Sequence, residues 1–209
     1  MNIWGVMSSA SILFPVLSGF YAFTRTKKYG ALLFFFCFTL LIETIANALV
    51  FDNFSNNIWV YNIFSLVEGV FWILLLAHWM PRDHTLLIRS LSLFFALVWV
   101  YTTLILQTLK EYNSYSSITE CLILIPLSCI FLVGLSRKAS VPILDLPEFW
   151  FITGVLFFFS STSVIQATAL YKIDGVILMR TTYYLHVFFN IISNLIFAKA
   201  FLCSHRKIT

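Results

Sequence analysis

The chain has 209 residues, 60% of them hydrophobic and only 11% charged, with a mean hydropathy of +0.92 and a net charge of +4. A water-soluble domain carries about a quarter charged residues, so this composition excludes one. The basic residues lie in short loops between apolar runs rather than on one face, which excludes a nucleic-acid footprint and makes the lipid bilayer the first partner.

The first apolar run, residues 3 to 23, has no basic segment before it and no convincing small-residue cleavage site, while Arg25, Lys27 and Lys28 follow it as a stop-transfer flank. It therefore reads as a first helix rather than a signal peptide. Further runs at 31 to 50, 59 to 79, 86 to 107, 118 to 135, 149 to 170 and 178 to 202 complete seven spans. Each is about 20 residues long, matching a hydrocarbon core of about 30 Å at about 1.5 Å per residue. The expected fold class is an all-α integral membrane protein with seven transmembrane helices in one domain, 1-209.

Alternate loops collect charge unequally. Arg25, Lys27, Lys28, Arg82, Arg89, Arg137, Lys138, Lys199, Arg206 and Lys207 fall on one side, and Lys110, Lys172 and Arg180 on the other. Ten against three places the first group in the cytoplasm, with the N-terminus outside and the C-terminus inside. Trp4, Trp59, Trp79 and Trp150 stand near the expected helix ends, where an amphipathic ring suits the headgroup zone. The longest loop, Ser136 to Glu148, is too short for a soluble catalytic domain, so any chemistry or recognition belongs to the bundle or its rims. The cysteines Cys37, Cys121, Cys129 and Cys203 lie in or beside apolar runs without CxxC spacing, and read as small apolar packing residues. The outer tripeptide Asn53-Phe-Ser55 sits too close to the membrane to weigh as a glycosylation site.

The second and sixth spans match without gaps: Leu33-Phe-Phe-Phe-Cys-Phe-Thr-Leu-Leu-Ile-Glu43 lies over Leu156-Phe-Phe-Phe-Ser-Ser-Thr-Ser-Val-Ile-Gln166. Pro15 pairs with Pro126, Lys27 with Lys138, and similar loop lengths set Glu68 close to Asn190. The pattern predicts a 3+1+3 plan of parallel repeats: repeat one over 3-79, a linker helix over 86-107 and repeat two over 118-202. On these residues the plan resembles the SWEET and PQ-loop transporters and the KDEL receptor. There is no Pro-Gln dipeptide and no proline in the second or sixth span, so sugar transport does not carry over.

Ionisable groups inside a span cost about 2.5 to 3.5 kcal/mol on insertion scales and usually face the bundle interior. Glu43, Glu68 and His186 fall about 8 to 15 Å below the outer boundary by helical rise, and Glu120 lies near the outer mouth of the fifth span. Helical spacing adds Asn47 four residues from Glu43, Tyr61 and Ser65 on the face of Glu68, and Asn190 and Asn194 on that of His186, with Gln166 on the sixth span. A polar pocket in the outer half follows, with Glu43, Asn47, Tyr61, Glu68, Glu120, Gln166, His186 and Asn190 as its ligand-binding residues. The competing reading makes each of them a packing hydrogen bond worth about 0.6 to 2 kcal/mol.

His78, His84 and His205 read as interfacial. One histidine at useful depth and no HExxH spacing fit poorly with an intramembrane zinc hydrolase. Lys199, near the cytoplasmic end, fits poorly with retinal. No catalytic residue, metal or cofactor is expected.

The chain also resembles a family of uncharacterised bacterial seven-helix proteins. The similarity rests on Asn57-Ile-Trp-Val-Tyr61 running into Glu68, Tyr112-Asn-Ser-Tyr115 before Glu120, Phe149-Trp150 with Gly154 and Ser160, and His186, Asn190 and Asn194. The resemblance implies a bacterial cytoplasmic-membrane protein and a sensor for a separate cytoplasmic signalling partner. The expected function is recognition of a small polar ligand. A small-solute transporter, with proton coupling as one form, and a structural membrane subunit are the alternatives. The sensor is preferred because polar residues thin out toward the cytoplasmic half, where a transporter also needs a wettable route. Nothing in the pattern specifies an oligomeric state.

Overall fold

A computed structural model of the chain describes residues 3–51, 57–80, 85–106, 109, 113–170 and 176–203. Arg82, Lys110, Lys172, Arg206 and Lys207 of the charge pattern, the tripeptide at 53–55, Pro81, His84, Tyr112 and His205 lie outside the described residues. The described segments are α1 (Ile3–Ser11), α2 (Leu13–Phe23), α3 (Gly30–Phe51), α4 (Ile58–Trp79), α5 (Thr85–Tyr101), α6 (Ser114–Lys138), α7 (Pro147–Leu170) and α8 (Val176–Cys203). Among these residues the protein is all-helical, with seven spans of 20 to 25 residues apolar enough to cross a membrane.

Two features depart from the expected spans. The first span, Trp4–Phe23, is built from α1 and α2, which meet at Ile12. Pro15 supplies no amide proton to the carbonyl four residues before it, so the backbone ladder is interrupted there. Pro126, its expected counterpart, lies inside α6 without splitting it. The fifth span starts at Ser114 rather than 118, because Asn113 caps it: Asn113 Oδ1 accepts the Ser116 amide at 3.1 Å. Asn113 Nδ2 also donates to Thr102 Oγ1 at 2.9 Å and Thr103 Oγ1 at 2.6 Å, tying α6 to the π turn Thr102–Leu106 that ends α5. At the far end of α6, Arg137 and Lys138 occupy the last turn, where cations complement the helix dipole.

Packing follows chain order around a closed ring. The α1–α2 span lies against α3 and α8, α3 against α4, α4 against α6, α6 against α7 and α7 against α8. The fourth span, α5, sits outside this ring in the groove between α4 and α6. It buries Ile88 and Phe95, while Leu86, Leu93, Leu97, Leu104 and Ile105 are exposed and suit lipid.

The half of the bundle away from the N-terminus is filled by an aromatic column. Phe36 lies 5.0 Å from Phe197 between ring centroids, Phe151 4.9 Å from Phe201, and Trp79 6.0 Å from Phe131. Lipid chains are as apolar as these side chains, so burial alone does not hold the spans together. Close packing does, and each aromatic pair adds about 0.5 to 1.5 kcal/mol. Gly154 lets α7 and α8 approach, since a Cβ there would stand 2.6 Å from Phe197 Cε1. Trp79, the last residue of α4, packs on Phe131 and Phe151 at the base of this column, whereas Trp4 and Trp59 are exposed.

Candidate functional site

Above the aromatic column, toward the end where the chain starts, the ring encloses a cavity of about 580 Å³. Six of the seven spans line it, and α5 contributes nothing among the described residues. All eight residues expected at a ligand site reach its wall: Glu43 and Asn47 from α3, Tyr61 and Glu68 from α4, Glu120 from α6, Gln166 from α7, and His186 and Asn190 from α8. They come together because the helices run in alternating directions. The ends of α3 and α7 therefore meet the beginnings of α1, α4, α6 and α8.

Their bonding separates them into two groups. Glu43 Oε2 accepts the Ser9 hydroxyl at 2.9 Å and the Tyr61 hydroxyl at 3.3 Å, and Asn47 Nδ2 donates to Ser9 Oγ at 3.2 Å. Asn190 Nδ2 donates to Ser8 Oγ at 2.7 Å, and Asn194 Nδ2 to Ser11 Oγ at 2.7 Å. These bonds seat α1 on α3 and α8, so for Glu43, Asn47, Tyr61 and Asn190 a packing role is visible alongside exposure to the cavity.

Glu68 and Glu120 stand apart. Glu120 is 3% exposed and its Oε1 has no hydrogen-bond partner among the described residues. It rests against Gly69, where a Cβ would lie 2.9 Å from Glu120 Oε1 and 2.4 Å from Phe95 Cε1. The glycine therefore makes room for a carboxylate on one side and for the outer helix α5 on the other. Glu68, one residue earlier on α4, lines the cavity with no hydrogen bond among the described residues. His186 contributes an imidazole whose described neighbour is the Phe158 ring, 6.4 Å between centroids. Gln166 is buried on the wall from α7.

The inner end of the cavity is aromatic. Phe36, Trp72 and Phe197 line it from three different spans, and Trp72 stacks on Phe197 at 5.6 Å with planes 17° apart. Below them Ile73 and Leu76 are fully buried.

Several lining residues were not singled out by sequence. Ser8 and Ser9 are ordinary in a membrane helix, and only the small-residue face Gly5, Ser8, Ser9 on the first span signals them. Thr162, half-buried with its hydroxyl enclosed and unpartnered among the described residues, is signalled only by its match to Thr39 in the repeat, which lines the cavity too. Asn62 also lines the wall, but its side chain is committed to structure: Nδ2 donates to the Leu109 carbonyl at 3.1 Å and Oδ1 accepts the Asn113 amide at 3.2 Å. Among the described residues no three His, Cys, Asp or Glu side chains are grouped to hold a metal ion.

The fold and site define a multi-pass membrane protein with an acid-lined cavity at one end of its helix ring. Comparison with protein-family models, with curated proteins and with solved structures finds no match to this chain. Its function is therefore argued from the site.

Proposed function

We propose that the chain is a receptor-like sensor in a bacterial cytoplasmic membrane, binding a small polar ligand in this cavity and signalling to a separate cytoplasmic partner. The charge bias of the loops puts the cavity on the outer side. The observation that carries the reading is the closed floor. A polar cavity ends on Phe36, Trp72 and Phe197, and apolar side chains such as Ile73, Leu76, Phe151 and Phe201 fill the column beneath.

A signal needs a route from the cavity to the cytoplasmic side, and α3 and α7 provide one. Glu43 and Gln166 sit on the cavity wall near one end of these helices, and Lys28, Tyr29 and Glu148 join them at the other. A ligand that binds one arrangement of these helices better than another shifts the population of arrangements, and it does so only by that difference in affinity.

The transporter reading has its own support in the contact pattern. The contact of the first span with the seventh corresponds to that of the third with the fifth, as a pair of parallel three-helix repeats flanking a linker would require. Proteoliposomes separate the two readings. A sensor binds its ligand with no counterflow of labelled ligand across the vesicle wall, whereas saturable counterflow abolished by Glu68→Gln would establish transport.

A further inference from the structure

We infer that the ligand of this cavity is an organic cation, an amine or a quaternary ammonium compound. The inference rests on the ligand-binding reading above and narrows it to a chemical class.

The wall is one-sided in charge. Glu43, Glu68 and Glu120 face the cavity, the imidazole of His186 stands opposite, and no described lysine or arginine lines it. Arg180, on the same end of α8, turns to Tyr184, donating its Nε to that hydroxyl at 3.2 Å with its guanidinium 5.6 Å from the ring. An anionic ligand would meet three carboxylates and no countercharge.

Glu120 supplies an independent pointer. Glu43 is satisfied by Ser9 and Tyr61, but Glu120, 3% exposed, keeps an oxygen without a partner among the described residues. A carboxylate removed from water must be balanced by a proton or by a cation. A neutral polyol could hydrogen-bond it but could not balance its charge.

The floor chooses among cations. Trp72, Phe36 and Phe197 close the inner end with tightly packed aromatic carbon, an apolar base that suits the hydrocarbon part of an organic cation rather than a bare ion. About 580 Å³ suits an organic ligand, since such pockets run from about 300 to 1,000 Å³. A bare metal ion would need converging ligands, and none are grouped for one among the described residues. The cavity thus offers acids beside an apolar aromatic base, complementary to a charged head on a hydrocarbon body.

The test measures equilibrium binding to the purified full chain in nanodiscs. Choline is compared with its neutral isostere 3,3-dimethylbutan-1-ol, and phenethylamine with 2-phenylethanol and the anion 3-phenylpropanoate. The expected result is that at least one amine binds at least tenfold tighter than its isostere, and that Glu68→Gln reduces this binding at least tenfold. The wild-type comparison needs no variant to fold, and Glu120→Gln repeats the second arm should Glu68→Gln misfold. If neutral or anionic probes bind as well as the cations or better, the cation assignment is overturned while a ligand site stands. If no probe of any charge binds, the cation assignment and the receptor reading both fall.

Discussion

Trp72 of α4 stacks on Phe197 of α8 with ring centroids 5.6 Å apart, joining two spans that are not neighbours in the ring. The pair closes the cavity from below and fills the bundle axis. Trp72→Ala would remove the largest fully packed side chain of the floor. Loss of a buried tryptophan costs about 3 to 5 kcal/mol in soluble cores. A loss of that order, read by unfolding in mixed micelles, is expected, and a change under about 1 kcal/mol would mean that the floor is not packed as described.

Glu68 and Ser9 should behave oppositely when replaced. Ser9 donates to Glu43 and accepts from Asn47, so Ser9→Ala should cost about 0.6 to 2 kcal/mol of stability. Glu68 makes no hydrogen bond among the described residues, so Glu68→Gln should leave unfolding nearly unchanged while removing ligand response. Unfolding curves of both variants check this. A Glu68→Gln protein that melts earlier than Ser9→Ala would favour the packing reading.

Gly69 fits between Phe95 and Glu120, and alanine there would bring a Cβ to 2.4 Å from Phe95 Cε1. The ring must move, so Gly69→Ala should destabilise by about 1 to 3 kcal/mol. The companion change Phe95→Leu should recover part of this loss. A double-mutant cycle measures the coupling, and strict additivity would contradict the contact.

At the end of the bundle away from the cavity Glu148 Oε1 accepts Lys28 Nζ at 2.6 Å and the Tyr29 hydroxyl at 2.8 Å. Lys28 is largely exposed, so Lys28→Ala should change stability by under about 1 kcal/mol, and less in high salt. Tyr29 is buried, and burial first, then the Glu148 carboxylate, raise its phenol above the ordinary value. A raised folded value stabilises below the unfolded value of 10.0 and loses that contribution as pH rises above it. Tyr29→Phe should therefore flatten the alkaline fall in stability, and an unchanged alkaline limb would contradict this assignment.

Much of this was legible in the sequence, for reasons that particular residues show. Seven apolar runs of bilayer length announce seven spans because lipid requires each segment to satisfy its own backbone. Glu43, Glu68, Glu120 and His186 were visible because ionisable groups are rare in spans and turn inward. Their division into bonded and unbonded acids was not visible, because it depends on which serine of α1 meets which helix. Ser8 and Ser9 sit at neighbouring positions, yet one serves Asn190 on α8 and the other Glu43 on α3. The early start of α6 also escaped, since Ser114, Ser116 and Ser117 look like loop until Asn113 is seen to cap them. The break at Ile12 shows the same limit, for Pro15 marks a weak point while only packing decides whether the helix divides.

The most direct test of the central claim, that the acid-lined cavity is a ligand site, is a thermal-shift screen of the purified protein beside Glu68→Gln. Metals, sugars, amino acids, amines and lipids would be screened across pH. The account predicts a compound that stabilises the wild type, by about 2.7 kcal/mol at a hundred times its dissociation constant, and leaves the variant unmoved. Equal stabilisation of both proteins by every hit, or no hit under any condition, would contradict it.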